Sequence, residues 1–296
     1  MSATPELYRA PVDGRRCLRI EGRLRRLMLP LPAEPPSDVP PAACFFCHPE
    51  RDRFDRGAWP ERDGPLRVVG NAFSIADAAL LVAPPDERWH RATPAELDVE
   101  LLAGMVRAPF DDAFVARFGL GGLELSSFLN VGVRGAQSRV HPHLQIVGFR
   151  SDALERVGAA LAPARDAADR TALADDLAAA TREERALPLG PGVAVVPRLP
   201  GATAEIWIAL PGADAPREDW TRAAAAIAAA CRACARGLSG SYNVVLRRDE
   251  PRLARVVPRG LSEPAGLELG SPSRVDVVVA ASVRETVLLW RAALAP

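Results

Sequence analysis

The chain has 296 residues, with 37 basic and 37 acidic side chains, and 48% of it is apolar. That is enough chain for one large domain or two smaller ones with a substantial core. The balanced charge carries neither a basic footprint for nucleic acid nor an acidic tail, and the complete absence of lysine excludes Schiff-base and lysine-nucleophile chemistry.

No apolar stretch reaches the roughly 20 residues that span a bilayer. The opening MSATPELYRAPVDG lacks the charged start and apolar run of a signal peptide. Five cysteines is a low, odd number for a secreted chain. These features predict a reduced, cytoplasmic protein that engages neither membrane nor nucleic acid.

In chain order, short strands are predicted around Cys17 to Ile20 and Leu24 to Leu29, within an arginine-rich opening that includes Arg23 and Arg26. The proline-dense run PLPAEPPSDVPPAA must be an extended loop, and it delivers the chain to ACFFCHPE. LRVVGNAFSIADAALLVAP reads as two strands around a turn. A helix is predicted from Thr93, where Thr, Pro and then Glu96 three residues on make a capping-box start. LELSSFLNVG and VHPHLQIVGF read as two further strands joined by VRGAQSR. Residues 151–187 are Ala-, Arg- and Asp-rich with helical periodicity and are read as a connector.

The second part repeats the order of strands, helix and strands. GVAVVP and AEIWIALP are predicted strands, EDWTRAAAAIAAACRACARGL is a helix ending at Gly237, and YNVVLRR, LARVVPR and SRVDVVVAAS are strands before a closing helix. The expectation is an α+β protein of two related halves: residues 1–150, a connector over 151–187, and residues 188–296.

Candidate chemistry gathers in the first half. A strand through VHPHLQIVGF would place His141, His143 and Gln145 on one face, because side chains alternate. Three polar groups inside an apolar run are costly unless something satisfies them. Cys44 and Cys47 form a C-x-x-C knuckle in which both thiolates reach one tetrahedral ion, but two more ligands must come from elsewhere. Adjacent ligands on one ion are strained, which disfavours His48 beside Cys47. Cys44, Cys47, His90 and one histidine of the 141/143 pair remain. Cys231 and Cys234 sit one turn apart in an Ala-rich helix with no histidine near, and are read as packing.

The same residues resemble a known family, the galactose-1-phosphate uridylyltransferases of the histidine-triad superfamily. The run from Asn130 to Gln145, N-x-G-x5-S-x-x-H-P-H-x-Q, keeps that family's spacing. ACFFC is similar to its C-x-x-C, PPDERWHRATPAEL to its histidine before a helix start, VVGNAFSIADAALL to its nucleotide-contacting strand pair, and GRLRR to its early arginine pair.

The resemblance implies two fused histidine-triad-like halves, each an antiparallel sheet with helices, in a homodimer. It implies a nucleotidyltransferase in which His143 is the nucleophile, Gln145 donates to a phosphate oxygen, and Ser138 and Asn130 hold phosphates on the Gly132 loop. Asn71 would contact the nucleotide, and Arg23 and Arg26 would lie near the phosphates. A structural zinc would be held by Cys44, Cys47, His90 and His141. The substrates would be a nucleoside diphosphate sugar and a phosphorylated acceptor. The alternatives are a phosphorylase or hydrolase working through the same histidine, and a zinc-stabilised nucleotide-binding protein without turnover.

Three departures stand out. Leu144 replaces the family's glycine, and H-x-H-L-Q is closer to the branch that acts on diadenosine tetraphosphate. Ala72 follows Asn71 where the family has aspartate. Glu205 matches the glutamate of a second metal site, but its three histidines have no counterpart, so that site is expected to be lost.

Overall fold

Alternating apolar residues in short segments, separated by turn-forming stretches, fold here into one large antiparallel sheet. The computed structural model describes residues 6–9, 16–19, 36–48, 53–60, 65–71, 76–150, 175, 178–180, 182–196, 204–238, 240–248, 252–259 and 283–295. Arg23, Arg26, Ala72, the expected strands at 24–29 and 273–282, and residues 151–174 of the connector lie outside them.

Strands β1 (Glu6–Arg9) and β2 (Arg16–Arg19) form a separate antiparallel pair. The main sheet comprises β3 (Asp55–Trp59), β4 (Leu66–Gly70), β5 (Ala78–Ala83), β6 (Leu123–Val131), β7 (Leu144–Arg150), β8 (Ala186–Leu189), β9 (Gly192–Val195), β10 (Ile206–Ala209), β11 (Tyr242–Arg247) and β12 (Leu253–Pro258). Its order is β3-β4-β5-β7-β6-β11-β12-β10-β9-β8. The expected pair of sheets is therefore fused into one, because β6 and β11 pair directly at its centre. Read inward from its two edges, the sheet has the same order on both sides: β3-β4-β5-β7-β6 and β8-β9-β10-β12-β11. In each set a helical segment falls between the third and fourth strands of the chain, and in the second set a further helix follows the fifth strand.

The α-helices of six residues or more among the described residues are α1 (Val99–Arg107), α2 (Asp112–Arg117), α3 (Arg217–Ala233) and α4 (Val283–Leu294). They bury their apolar sides against one face of the sheet, where Leu144, Ile146, Leu129, Val244 and Val256 meet Leu102, Ile227 and Trp290. The other face carries two smaller clusters. Phe128, Val147 and Phe149 form one; Val69, Leu81 and Ala83 with Cys44, Phe46 and Cys47 form the other.

Four expectations change. The Thr93–Glu96 box does form, with Thr93 N donating to Glu96 Oε2 at 2.7 Å, but it closes only a turn. The helix starts at Val99, because Asp98 is extended and its carboxylate caps Glu100 N at 2.9 Å. The helix expected to end at Gly237 runs on past Ala233 as a π-helical turn to Leu238. Strand β7 begins at Leu144, so His141 and His143 precede it. Ser37 draws the chain aside by accepting from Val140 N at 3.3 Å and donating to Ser138 O at 3.0 Å. Pro142 has no N–H to continue a ladder. Strand β8 begins at Ala186, within the last residues of the segment read as connector.

Candidate active site and metal centre

Val39 and the C-F-F-C knuckle pack on the face of the sheet opposite the four α-helices, against Val69, Leu81 and Ala83. Cys44, Cys47, His90 and His141 are all buried, and one donor atom from each lies within 4.8 Å of the others. Cys47 Sγ is 3.3 Å from His90 Nδ1 and 3.5 Å from His141 Nδ1, and Cys44 Sγ is 3.8 Å from His141 Nδ1. A tetrahedral ion on two thiolates and two imidazoles separates neighbouring donors by about 3.3–3.8 Å, so the spacing fits one.

The tautomers fit as well. His90 Nε2 donates to Val39 O and His141 Nε2 to Pro84 O, both at 2.8 Å. A carbonyl only accepts, so each Nε2 carries the proton and each Nδ1 presents a lone pair to the thiols. Burial, the larger cause, and the neighbouring Cys44 push the Cys47 thiol up to about 12. Burial likewise lowers His141 to about 4, against the pull of the Pro84 carbonyl. Without a cation Cys47 thus sits as a neutral thiol and His141 as a neutral imidazole; a divalent ion would favour the thiolate. His48 turns away, to Glu87 Oε1 at 3.0 Å.

His143 sits two residues beyond the cluster and is 5% exposed. Its Nδ1 donates to His141 O at 2.8 Å. Its ring stacks on Phe46, with centroids 5.0 Å apart and planes 22° apart. Nδ1 is therefore the protonated nitrogen, and Nε2 carries the lone pair. Burial holds the imidazole below its ordinary range; the His141 carbonyl opposes this, and the guanidinium of Arg139 reinforces it. Arg139 is held by Ser37 Oγ at 2.9 Å and lies over Phe45.

Asn130 and His143 extend from the paired residues Leu129 and Leu144, at the same end of adjacent strands. Gln145, one residue into β7 from that end, is half-buried and lies opposite Phe128 and Leu81. Between Asn130 and His143 runs the glycine loop. Gly132 has φ +72°, where a side chain is strained. Gln137 braces the loop by accepting from Gly132 N at 2.8 Å and donating to Val140 O at 3.2 Å. Ser138 is exposed at the loop's end. Asn71 stands apart. Its N–H bonds Ala79 O at 2.9 Å, and Ala79 pairs with Val147, four residues along β7 from His143, about 13 Å away.

Leu144 is fully buried in the helix-side core, opposite the face that bears Gln145. Its departure from the family glycine is thus a matter of packing. Glu205, 1% exposed, accepts from Arg255 Nη2 at 2.6 Å and Trp207 Nε1 at 2.8 Å. Among the described residues the only cluster of three or more His, Cys, Asp or Glu side chains suited to a metal is that of Cys44, Cys47, His90 and His141. Cys231 and Cys234 face the core, and burial pushes the Cys231 thiol up to about 12. Among the described residues no helix is long and apolar enough to cross a membrane.

Phe46, Arg139 and Gln137 were not singled out from the sequence. Phe46 carried a signal, as the inner residue of the C-x-x-C knuckle; the others carried none beyond lying inside the long motif.

No protein-family model matches the chain, and no curated protein matches it by sequence. Solved structures do. An ADP-glucose phosphorylase from Arabidopsis thaliana, with bound ADP-glucose, aligns over 97% of this chain and 98% of its own at TM-score 0.60 and 17% identity. A uridylyltransferase aligns over 98% of each chain at TM-score 0.60 and 16% identity. A GalT-like protein from Arabidopsis thaliana aligns over 90% of this chain and 92% of its own at TM-score 0.55 and 16% identity. The chain has the α+β fold of these GalT-like proteins, at a sequence distance that marks it as divergent.

Proposed function

We propose that this protein is a nucleotidyltransferase that moves a nucleoside monophosphate from a nucleoside diphosphate sugar to a phosphorylated acceptor, through a covalent nucleotidyl-His143. The observation that carries the reading is the state of His143: a buried imidazole whose Nδ1–H is tied to a carbonyl, which leaves the lone pair on Nε2, at the same end of the paired strands as Asn130.

In the first step Nε2 attacks the α-phosphorus, a P–N bond forms, and the bond to the leaving sugar phosphate breaks. In the second step a phosphate oxygen of the acceptor attacks the same phosphorus and the P–N bond breaks. The imidazole becomes cationic in the intermediate, and the His141 carbonyl on Nδ1–H stabilises that charge as it develops. Ser138, Asn130 and Gln145 bind phosphate oxygens, and the turn at Gly132 lets the loop approach the anion. Asn71, just after β4 and two strands away from β7, is far enough from His143 to meet the nucleoside end of the substrate. Arg23 and Arg26 are assigned to the phosphates from the sequence alone.

Zinc is the ion proposed for Cys44, Cys47, His90 and His141. Bound there, it would tie the knuckle to the segment before α1 and the segment before β7 and so serve as a structural cross-link. Residues 1–150 form the catalytic half in this reading, and 188–296 a half without catalytic histidines; the assembly is a homodimer in the cytoplasm.

A second reading uses inorganic phosphate as acceptor. It is favoured by the ADP-glucose phosphorylase, which matches the fold as well as the uridylyltransferase does, at TM-score 0.60 each. The deciding experiment is intact-mass measurement after incubation with UDP-, ADP- and GDP-sugars and dinucleoside polyphosphates. An adduct of nucleoside monophosphate mass that vanishes in His143→Ala is expected, and the acceptor that discharges it separates transferase from phosphorylase. No adduct and no turnover with any member of the panel would sink the reading.

A further inference from the structure

The second set of strands has no histidine, yet the loop between Asn130 and Ser138 is built against it. At the centre of the sheet Asn130 lies directly opposite Asn243. Opposed residues on antiparallel strands share a face and sit within about 5.5 Å. Asn243 is fully buried, and its Nδ2 donates to Asn130 Oδ1 at 2.7 Å and to Gly135 O, within the loop, at 2.9 Å. Its Oδ1 accepts from Arg259 Nε at 2.6 Å. Arg259 is itself 6% exposed, and its backbone N–H donates to Ser241 O at 2.8 Å. Ser241 Oγ in turn accepts from Arg134 N in the loop at 3.4 Å. The fit is close: a Cβ on Gly132 would run into Ser241 Oγ, and one on Gly135 into Val131 O and, at 2.7 Å, Tyr242 O.

These bonds form a line with one allowed direction. A guanidinium only donates. Arg259 therefore obliges Asn243 to turn its Oδ1 inward and its NH2 toward Asn130. Asn130 must then turn its own Oδ1 to Asn243, so its NH2 faces the loop. There one N–H reaches Ala136 O, at a long 3.4 Å, and the other is available to a ligand. The Gly135 carbonyl, which only accepts, holds Asn243 in the same sense as the arginine does; a reversed Asn130 would show a carbonyl to an incoming phosphate. A buried arginine is costly to desolvate, and here it sets the polarity of a group two links away.

We infer that Asn243 and Arg259 are positioning residues that fix Asn130 as a hydrogen-bond donor for a phosphate of the nucleotide substrate. The inference rests on reading the 132–138 loop as the phosphate cradle, and it gives the histidine-free half a part in that site.

The test is calorimetric titration of the full-length, metal-loaded protein with inorganic pyrophosphate, ADP-glucose and UDP-glucose, which needs no turnover. Asn243→Asp replaces the inner donor by an acceptor, so Asn130 reverses; affinity should fall about 10- to 100-fold. In an Asn130→Ala background the same substitution should change affinity by less than about twofold. Arg259→Lys, still donor-only, should stay within about threefold of wild type while the melting temperature drops. Wild-type affinity in Asn243→Asp overturns the inference. So does an undiminished loss in the Asn130→Ala background, which would mark simple charge repulsion. Binding without a nucleotidyl adduct would remove the proposed reaction and leave the inference standing; no binding of any probe by wild type overturns both.

Discussion

Phe46 and His143 stack face to face, with ring centroids 5.0 Å apart, so the loop that holds two of the metal donors also forms the floor beneath the proposed nucleophile. Phe46 touches His141 too, at 5.1 Å, and is fully buried. The ring of His143 is thus fixed from below by Phe46 and at Nδ1 by His141 O. Phe46→Leu keeps most of the volume and should cost less than about 1.5 kcal/mol of stability. It removes the flat surface, so nucleotidyl-His143 formation should slow about 10-fold while substrate affinity holds. Single-turnover rates compared with titrated affinity check this; equal loss in both would mean that Phe46 only supports the fold.

Cys44→Ser or Cys47→Ser should release the ion, and one ion per chain is expected in the wild-type protein by elemental analysis. Removing a structural ion removes the cross-link between segments that are 43 to 97 residues apart in sequence. The melting temperature should fall by ten degrees or so, on the order of 2–4 kcal/mol, and return on adding zinc. Two ions per chain would contradict the reading of Glu205.

The second-half departure has its own test. Arg255 occupies Glu205 from 2.6 Å, in the interior, where an ion would otherwise be needed to balance the carboxylate. Arg255→Met removes this buried partner of the carboxylate and should cost about 3–5 kcal/mol. The double substitution Arg255→Met with Glu205→Leu should recover most of the loss. Chemical denaturation of the four proteins gives the coupling; additive losses would show that the pair does not act as a unit.

Much of the site was legible because its residues are close in sequence or of rare type. The N-x-G-x5-S-x-x-H-P-H-x-Q run is a single strand–loop–strand unit, so its spacing is its geometry. Four histidines and a C-x-x-C that follows a proline-dense loop leave few ways to assemble four metal donors. The alternation argument placed His141 and His143 together for the wrong reason: they lie in a stretch that Ser37 and Pro142 keep out of the ladder. Leu144 read as a change in the site and proved to be a core residue, since a one-residue step along a strand crosses the sheet. Asn243 and Arg259 carried no local signal. Their relation to Asn130 exists only through the pairing of β6 with β11, a non-local contact that no periodicity encodes. The same holds for the continuity of the sheet.

Acid should weaken the metal-free fold in a defined window. Burial lowers both His141 and His143, with His141 brought to about 4. In the unfolded chain a histidine takes up its proton near pH 6.5. Between that value and about 4 the unfolded state therefore holds a proton that folded His141 does not. Stability must rise with pH across this window: it is fully present above it, lost as pH falls through it, and level below it. His141 alone contributes on the order of 3 kcal/mol, and His143 adds in the same direction. Denaturation of the chelated protein from pH 7.5 to 4 measures this, and a flat profile would show that the two rings are solvated. The kinetic corollary concerns His143, whose neutral form is the nucleophile. With its proton affinity lowered, the rate of adduct formation should stay level as pH falls through 6.5 and decline only below it. A rate that halves at pH 6.5 would show a nucleophile with an ordinary imidazole, and the buried, carbonyl-tied His143 would not be the group that reacts.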